Sequence, residues 1–488
     1  MYIGMNYING DFCATRPDFS SINPSTEEIL GYFPSSHPWE IEEAIDAANQ
    51  AFKNWRSLSK IQRAEYFWRL AKIIESKIDY IATNITLETG KTLNESKAEV
   101  IEALHMIQYC FSQGREATGK TVSSELAERE CSVLKKPKGV VVSISPWNFP
   151  LNIGGMWTTG PALLEGNTVI LKPSEDAPLV GQIIAELYNE AGFPPGVFNL
   201  IHGNGQIGQH LVSSDKVNHI CFTGSAEVGQ IIRRICAESW HKTCSCELGG
   251  KSAVVVFDDA NLELAVDAAI MSAYKLSGQR CVSSGRILIQ NSVYNDFCNM
   301  FVEKSKKIKV GNPFDSGTFY GPLISKIQFE KVKNFNFMTN DGQCEILLEG
   351  DYNRDGSEGF FITPHVYKTK WTNSIYLKKE VFGPHVALIP FDTVEEAIEI
   401  YNDTDYGLSL SVITNDFKIM REMKNNCDFG LGYVNLPSIG AESHLPFSGV
   451  KKSGNGNPSA AGTFTSVVHE VTWSVNYSDT LYMPQGLK

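Results

Sequence analysis

Residues 139–150 read GVVVSISPWNFP, an apolar β-branched run that stops at a polar turn bracketed by two prolines. Similar runs follow at 168–174 (TVILKPS), 197–203 (VFNLIHG) and 219–225 (HICFTGS), with helical segments between them. Short apolar strands alternating with helices predict a parallel sheet covered by helices on both faces. The pattern restarts at 252–260 (SAVVVFDDA). It continues through a helix marked by Leu262, Ala265, Ala268, Ala269 and Ala273, then reaches RILIQ at 286–290. The predicted fold class is therefore α/β, with a second α/β unit after the first.

Upstream, about 115 residues read as mainly helical. Ile41, Ala44, Ile45, Ala48, Phe52 and Trp55 recur at helical spacing behind Pro38, and Val100, Ala103, Leu104, Ile107 and Phe111 mark another amphipathic helix. Between the helices and the first sheet lies a polar stretch at 121–139, TVSSELAERECSVLKKPKG, which reads as a projecting hairpin. The tail at 467–479, VVHEVTWSVNYSD, alternates like an extended strand. These two pieces lie outside both α/β units, so they are expected to pair with each other or with another subunit.

The chain has 488 residues, 42% hydrophobic and 20% charged, with a formal net charge of −12. That is an ordinary soluble composition, and it argues against a general binder of nucleic acid or anionic membrane, which would carry a basic stripe. No apolar run is long enough for a membrane span, and the N-terminus MYIGMNYINGDF shows no secretory pattern. Eleven cysteines without a disulfide spacing suit a reducing, cytosolic setting.

Three motifs mislead. GREATGKT, Gly114–Thr121, fits the phosphate-loop pattern, but a helix precedes it and strand-like sequence follows, so a helix-ending turn is the better reading. GNGQIG, Gly203–Gly208, follows a strand but lacks the acidic ribose partner, leaving a dinucleotide turn and a plain strand-to-helix turn open. HKTCSC groups His241, Cys244 and Cys246 without a fourth ligand, so buried thiols are expected and no metal site.

Cys281 departs from the usual buried cysteine. It lies in YKLSGQRCVSSGR, 274–286, in a glycine-flanked polar turn directly after Arg280. A guanidinium or backbone amides beside a thiol favour the nucleophilic thiolate. Asn148, at the end of the first strand, offers a donor for an oxyanion. Lys172 and Glu175 end the next strand, Gly224 and Ser225 open a helix after a third, Glu247 stands beside two glycines, and Glu380 and Phe382 lie in KEVFGP.

Taken in order, PWNFP, KPSE, FTGS, ELGGKS, GQRC, EVFGP and LPFSGVKKSG resemble the aldehyde dehydrogenase superfamily over nearly the whole chain. The resemblance implies a Rossmann-like NAD-binding domain (1–117 and 138–248), an α/β catalytic domain (249–446) and a small β bridging element (118–137 and 464–488). It implies homodimers or homotetramers. Cys281 would attack the aldehyde carbon, Asn148 and the Cys281 N–H would hold the oxyanion, and Glu247 would activate the water that hydrolyses the thioester. Trp147, Lys172, Ser174, Glu175, Gly224, Ser225, Glu380 and Phe382 would meet the cofactor. Glu175 would repel a 2′-phosphate, favouring NAD, while Lys172 leaves NADP open.

Two positions depart from the family pattern. Ser448 stands where a second glycine is common, and Trp157 where many relatives carry a proton-relay lysine. VNLPSIGAES (434–443) and VNYSDTLYMPQGLK (475–488) look like the aminoadipate-semialdehyde branch. Gly440 and Ala441 would then receive the substrate carboxylate through backbone N–H groups, with Arg280 adding a guanidinium. The alternative is a broad enzyme for neutral aldehydes. An acylating relative that uses coenzyme A typically lacks Glu247. A non-catalytic protein on the same fold would have lost the nucleophile. A thiol hydrolase would need a histidine partner that no local sequence marks.

Overall fold

The computed structural model describes residues 1–352, 358–457 and 459–481. Its first large sheet is built outward from Val140–Ile144. Thr168–Lys172 and Phe198–Leu200 add in parallel on one side, and His219–Thr223 and Thr243–Glu247 on the other. These strands are nearly all buried, as a parallel sheet sandwiched by helices requires, and this explains their unbroken apolar runs. The strand order reverses between Val140–Ile144 and His219–Thr223, the position where such sheets open a crevice beyond their carboxyl ends.

The second sheet has the same plan. Ala253–Val256 lies between Arg286–Gln290 and Ser409–Ile413, His385–Phe391 and His365–Lys368 extend one side, and Leu431–Val434 closes the other. Among its described strands, only the edge strand Glu345–Leu348 runs antiparallel. The chain passes from the carboxyl end of the first sheet, at Glu247, through two glycines to the amino end of the second, at Ala253. The site forms at that junction.

The predicted hairpin and tail do meet. Gly119–Val122 pairs with Arg129–Pro137, which pairs along its length with Val468–Asn476, from Val468↔Pro137 to Asn476↔Arg129. Residues 482–488, part of the quoted tail and of the expected bridging element, lie outside the described residues. The expected early helices are present as Pro38–Trp55 and Leu93–Gln113, joined by Lys60–Ser76 and Ile78–Thr89.

One feature of the N-terminus escaped the sequence reading. The first 34 residues form short strands, two of which, Asn6–Ile8 and Asp11–Cys13, extend the first sheet as a hairpin. The signal was present in Asn9–Gly10, whose φ values of 53° and 92° suit the tight turn that Asn-Gly favours. The Gly114–Thr121 motif is a helix-ending turn running into a strand, so it lacks the strand-before, helix-after geometry of a phosphate loop.

Candidate active site

Between the two sheets lies a cavity of about 220 Å³ whose walls include Trp147, Asn148, Gly224, Ser225, Gly249, Cys281, Glu380 and Phe382. Residues from well-separated chain segments thus converge. A second cavity, about 410 Å³, shares Trp147 and Gly224 and runs along the carboxyl end of the first sheet past Lys172, Ser174 and Glu175. Gly205 and Gly208 of the GNGQIG motif line it too, so that turn borders the trough.

Cys281 follows a strained turn. Leu276, Ser277 and Gly278 all have left-handed backbone, with φ of 55°, 55° and 71°. Asn148 is buried, and its Nδ2 donates to the Gln279 carbonyl at 2.9 Å, which fixes the amide beside the cysteine turn. Since an amide nitrogen carries two hydrogens, one remains for an oxyanion. Burial raises the Cys281 thiol well above its usual range, and the Glu247 and Glu380 carboxylates raise it further; the Val282 and Cys281 backbone N–H groups act the other way.

Arg280 corrects the expectation for the thiolate. Its guanidinium is directed to Glu95, 3.6 Å away, and over the Phe149 ring, so it is not the charge that governs Cys281.

Glu247 is wholly buried, and among the described residues neither carboxylate oxygen has a hydrogen-bond partner. Burial alone holds its carboxyl well above the ordinary range. A carboxyl in that state rests protonated; water entering beside it would ease the burial, let it ionise and so make it a base near neutral pH. Glu380 is held by the Gly250 N–H at 2.8 Å, and burial pushes it up to about 7. A Cβ on Gly249 would lie 2.3 Å from Glu380 Oε2, so only glycine admits that carboxylate. Phe382 also has a left-handed backbone (φ 62°), and its ring meets Trp147 edge-on at 5.4 Å.

Ser225 caps the Ala226–Ala237 helix by accepting from the Val228 N–H, so the positive end of the helix faces the cavity. Lys172 is buried, donates to the Pro173 carbonyl at 2.9 Å and lies 3.8 Å from Glu175. Gln328 and Lys331 also line the Cys281 cavity and were not anticipated. Gln328 Nε2 donates to the Val381 and Phe382 carbonyls and so braces the segment that carries Glu380. In sequence, KIQFEKVKNF looks like an ordinary amphipathic helix, with nothing to mark these two side chains.

Gly440 and Ala441 do not line the Cys281 cavity. Ala441 borders a third one, about 530 Å³, with Glu102, His105, Tyr109 and His444. Gly440 is left-handed (φ 123°), with open space where a Cβ would lie. Glu102 is mostly buried, accepts from Asn152 at 3.0 Å, and is pushed up to about 7 by burial while the Arg280 charge pulls it down. Ser448 is not left-handed; the close approach falls on Gly430, whose Cβ would lie 1.6 Å from the Ser448 carbonyl oxygen. Among the described residues, no group of three His, Cys, Asp or Glu side chains could hold a metal ion, and no helix is long and apolar enough to cross a membrane.

The model of the aldehyde dehydrogenase family matches residues 13–472. The α-ketoglutaric semialdehyde dehydrogenase of Bacillus subtilis (strain 168) is 34% identical over 455 residues, 92% of this chain and 93% of that protein. A probable succinate-semialdehyde dehydrogenase [NADP(+)] of Sinorhizobium fredii is 36% identical over 444 residues, 90% and 89% of the two chains. The solved structure of Staphylococcus aureus betaine aldehyde dehydrogenase in complex with NAD+ superposes with a TM-score of 0.93 at 32% identity, covering 98% of this chain and 96% of that one.

Proposed function

The chain belongs to the aldehyde dehydrogenase family, and from that premise we propose that it oxidises an aldehyde to a carboxylic acid with NAD, using Cys281, Asn148 and Glu247. The observation that carries this reading is the meeting of Cys281, Asn148, Glu380 and Phe382 around one cavity, with the buried Glu247 carboxyl close enough to act on the Cys281 thiol. Cys281 sulfur adds to the aldehyde carbon. The Asn148 side chain and Cys281 N–H stabilise the resulting oxyanion, each donor contributing roughly 3 kcal/mol to the barrier. NAD, when bound, accepts hydride from that carbon, and a thioester is left on Cys281. Glu247 then takes a proton from water, which attacks the thioester and releases the acid.

The trough suits a dinucleotide. Lys172, Ser174 and Glu175 would take the adenosine ribose, Gly224, Ser225 and the helix they open the pyrophosphate, and Glu380, Phe382 and Trp147 the nicotinamide end. The Glu175 carboxylate favours NAD over NADP. Lys172, and a relative named for NADP(+), keep the phosphorylated form within reach.

For the substrate, a semialdehyde bearing a carboxylate is the leading class, supported by two relatives named for semialdehydes. A substrate carboxylate at the Gly440–Ala441 loop would reach from the Cys281 cavity into the neighbouring one, and Arg280 would join it by turning from Glu95. Glu102, beside Ala441 and under the Arg280 charge, adds a site for an ammonium. The pair favours an amino-acid semialdehyde such as aminoadipate semialdehyde.

The sheet of Gly119–Val122, Arg129–Pro137 and Val468–Asn476 would join subunits into a homodimer or homotetramer, and the site of action is the cytoplasm. NADH formation across aminoadipate, succinate and glutamate semialdehydes and neutral aldehydes, for wild type and Cys281→Ala, tests the reading. The carboxylated substrates should be preferred and the variant inactive. Equal turnover of neutral aldehydes would overturn the substrate class, and surviving activity in the variant would overturn the mechanism.

A further inference from the structure

Three sulfurs meet on the first sheet, apart from Cys281. Cys244 and Cys246 are two residues apart on Thr243–Glu247, so they project to one face while Ser245 and Glu247 project to the other. Cys236, in the last turn of Ala226–Ala237, packs into the same apolar cluster. Cys236 and Cys246 are members of that cluster, and Cys244 packs against it. Cys236 and Cys246 are buried, whereas Cys244 is partly exposed, with the positive charges of Arg233 and Lys138 acting on it.

Three isolated thiols would be read as small core hydrophobes. Three thiols gathered in one cluster, cationic neighbours and solvent access at one sulfur are instead the conditions for exchange chemistry. Aldehyde oxidation as derived above uses none of the three.

We propose that Cys244 and Cys236 form a thiol–disulfide exchange site, distinct from the Cys281 centre, whose co-reactant is a small-molecule disulfide. The exposed Cys244 sulfur, as thiolate, attacks one sulfur of that disulfide. The S–S bond breaks, and half of the molecule leaves as a thiolate while the other half stays bound to Cys244. Cys236 sulfur then attacks Cys244 sulfur, displaces the second half and closes an intramolecular disulfide. The protons of the two cysteines end on the two released small thiols. The cysteine pair is oxidised by two electrons, and the small disulfide is reduced by the same two.

The neighbouring Cys236 and Cys246 thiols lower the Cys244 pKa, which supports its role as the attacking sulfur. Cys246 cannot resolve the mixed disulfide as readily. Two side chains on the same face of one strand stand roughly 6.6 Å apart along it, whereas a disulfide needs its Cβ atoms at about 4 Å. Cys236 approaches from the helix and is free of that restriction. The new bond would tie the end of the helix that starts at Ser225 to the start of the strand that ends at Glu247.

The test is to incubate the NAD-loaded protein with oxidised glutathione and map its peptides without reduction. A Cys236–Cys244 cross-link should form with no glutathione retained on Cys244, roughly tenfold faster than modification of Cys13, Cys131 and Cys344, the other partly exposed thiols besides the nucleophile Cys281. Cys236→Ser should instead keep glutathione on Cys244, and Cys246→Ser should still cross-link; NADH formation in both reduced variants should match wild type. A wild-type protein that retains glutathione at Cys244, cross-links a different pair, or leaves Cys244 unmodified overturns the proposal. Because the wild-type map decides the matter, poor folding of a variant does not protect it.

Discussion

The Glu95 carboxylate accepts the Leu276 backbone N–H at 2.9 Å, which ties the first turn of the Leu93–Gln113 helix to the strained turn ahead of Cys281. Its other oxygen accepts from Thr92, so the carboxylate that closes the helix cap also holds the nucleophile's turn. The Ser277 hydroxyl assists by donating to the Gly321 carbonyl at 2.8 Å. Three successive left-handed residues persist only when neighbours over-determine them.

Glu95→Ala should therefore displace Cys281 more than it unfolds the protein. A hydrogen bond to a charged group contributes about 1.5–3 kcal/mol, so kcat and the rate of Cys281 alkylation by iodoacetamide should both fall roughly 10- to 100-fold. Glu95→Gln keeps an acceptor oxygen and should recover most of the loss. Equal alkylation rates in wild type and Glu95→Ala would refute this positioning role.

Glu247 sets a pH signature. Its folded pKa lies well above the ordinary 4.5 because burial disfavours the charged form. The folded protein therefore holds a proton that the unfolded chain has released. The associated stability is full below about pH 4.5 and is lost as pH rises through the elevated folded value. Glu247→Gln has no such loss. Its Tm should match wild type near pH 5 and exceed it by about 2 °C near pH 8, while kcat falls at least about 100-fold. Thermal melts across that range would show a constant offset if the assignment were wrong.

Gly249→Ala tests the seat of Glu380. The added Cβ would fall 2.3 Å from Glu380 Oε2, and the carboxylate must move. Overpacking of this kind costs about 1–3 kcal/mol. Its expression should be an NAD dissociation constant raised roughly tenfold, read by quenching of protein fluorescence, with iodoacetamide still modifying Cys281.

Trp157 is a packing residue here. It is 1% exposed, meets Phe447 edge-on at 5.8 Å, and its Nε1 has no acceptor among the described residues. Trp157→Phe should leave kcat within about twofold, since the indole packs on Phe447 and is not among the described residues that line the Cys281 cavity. Trp157→Lys would bury a charge without a partner and should destabilise by about 3 kcal/mol or more. Denaturant titration of both variants distinguishes this from a relay position, at which lysine would raise activity without that cost.

Much of the architecture is written in local patterns. Val140–Val142 and Ile170–Leu171 are apolar on both faces because the sheet is covered on both faces, and that periodicity survives in the chain without its partners. Pro38 at the start of its helix and Asn9–Gly10 in the first hairpin are likewise legible, because they answer backbone constraints confined to a few residues. Short strands such as Asn6–Ile8 are harder to read, since their stability comes from the sheet they join.

By itself, then, the sequence determined the two α/β units and the ordered set of polar residues at their strand ends, Cys281 and Asn148 among them. Only the tertiary structure decided which charges face which groups. It turned Arg280 from Cys281 toward Glu95, buried Glu247 completely, brought Gln328 and Lys331 into the cavity, and set Gly440 and Ala441 outside it. The reason is physical: a helical or strand period follows from neighbours along the chain, whereas desolvation and charge pairing depend on segments hundreds of residues apart.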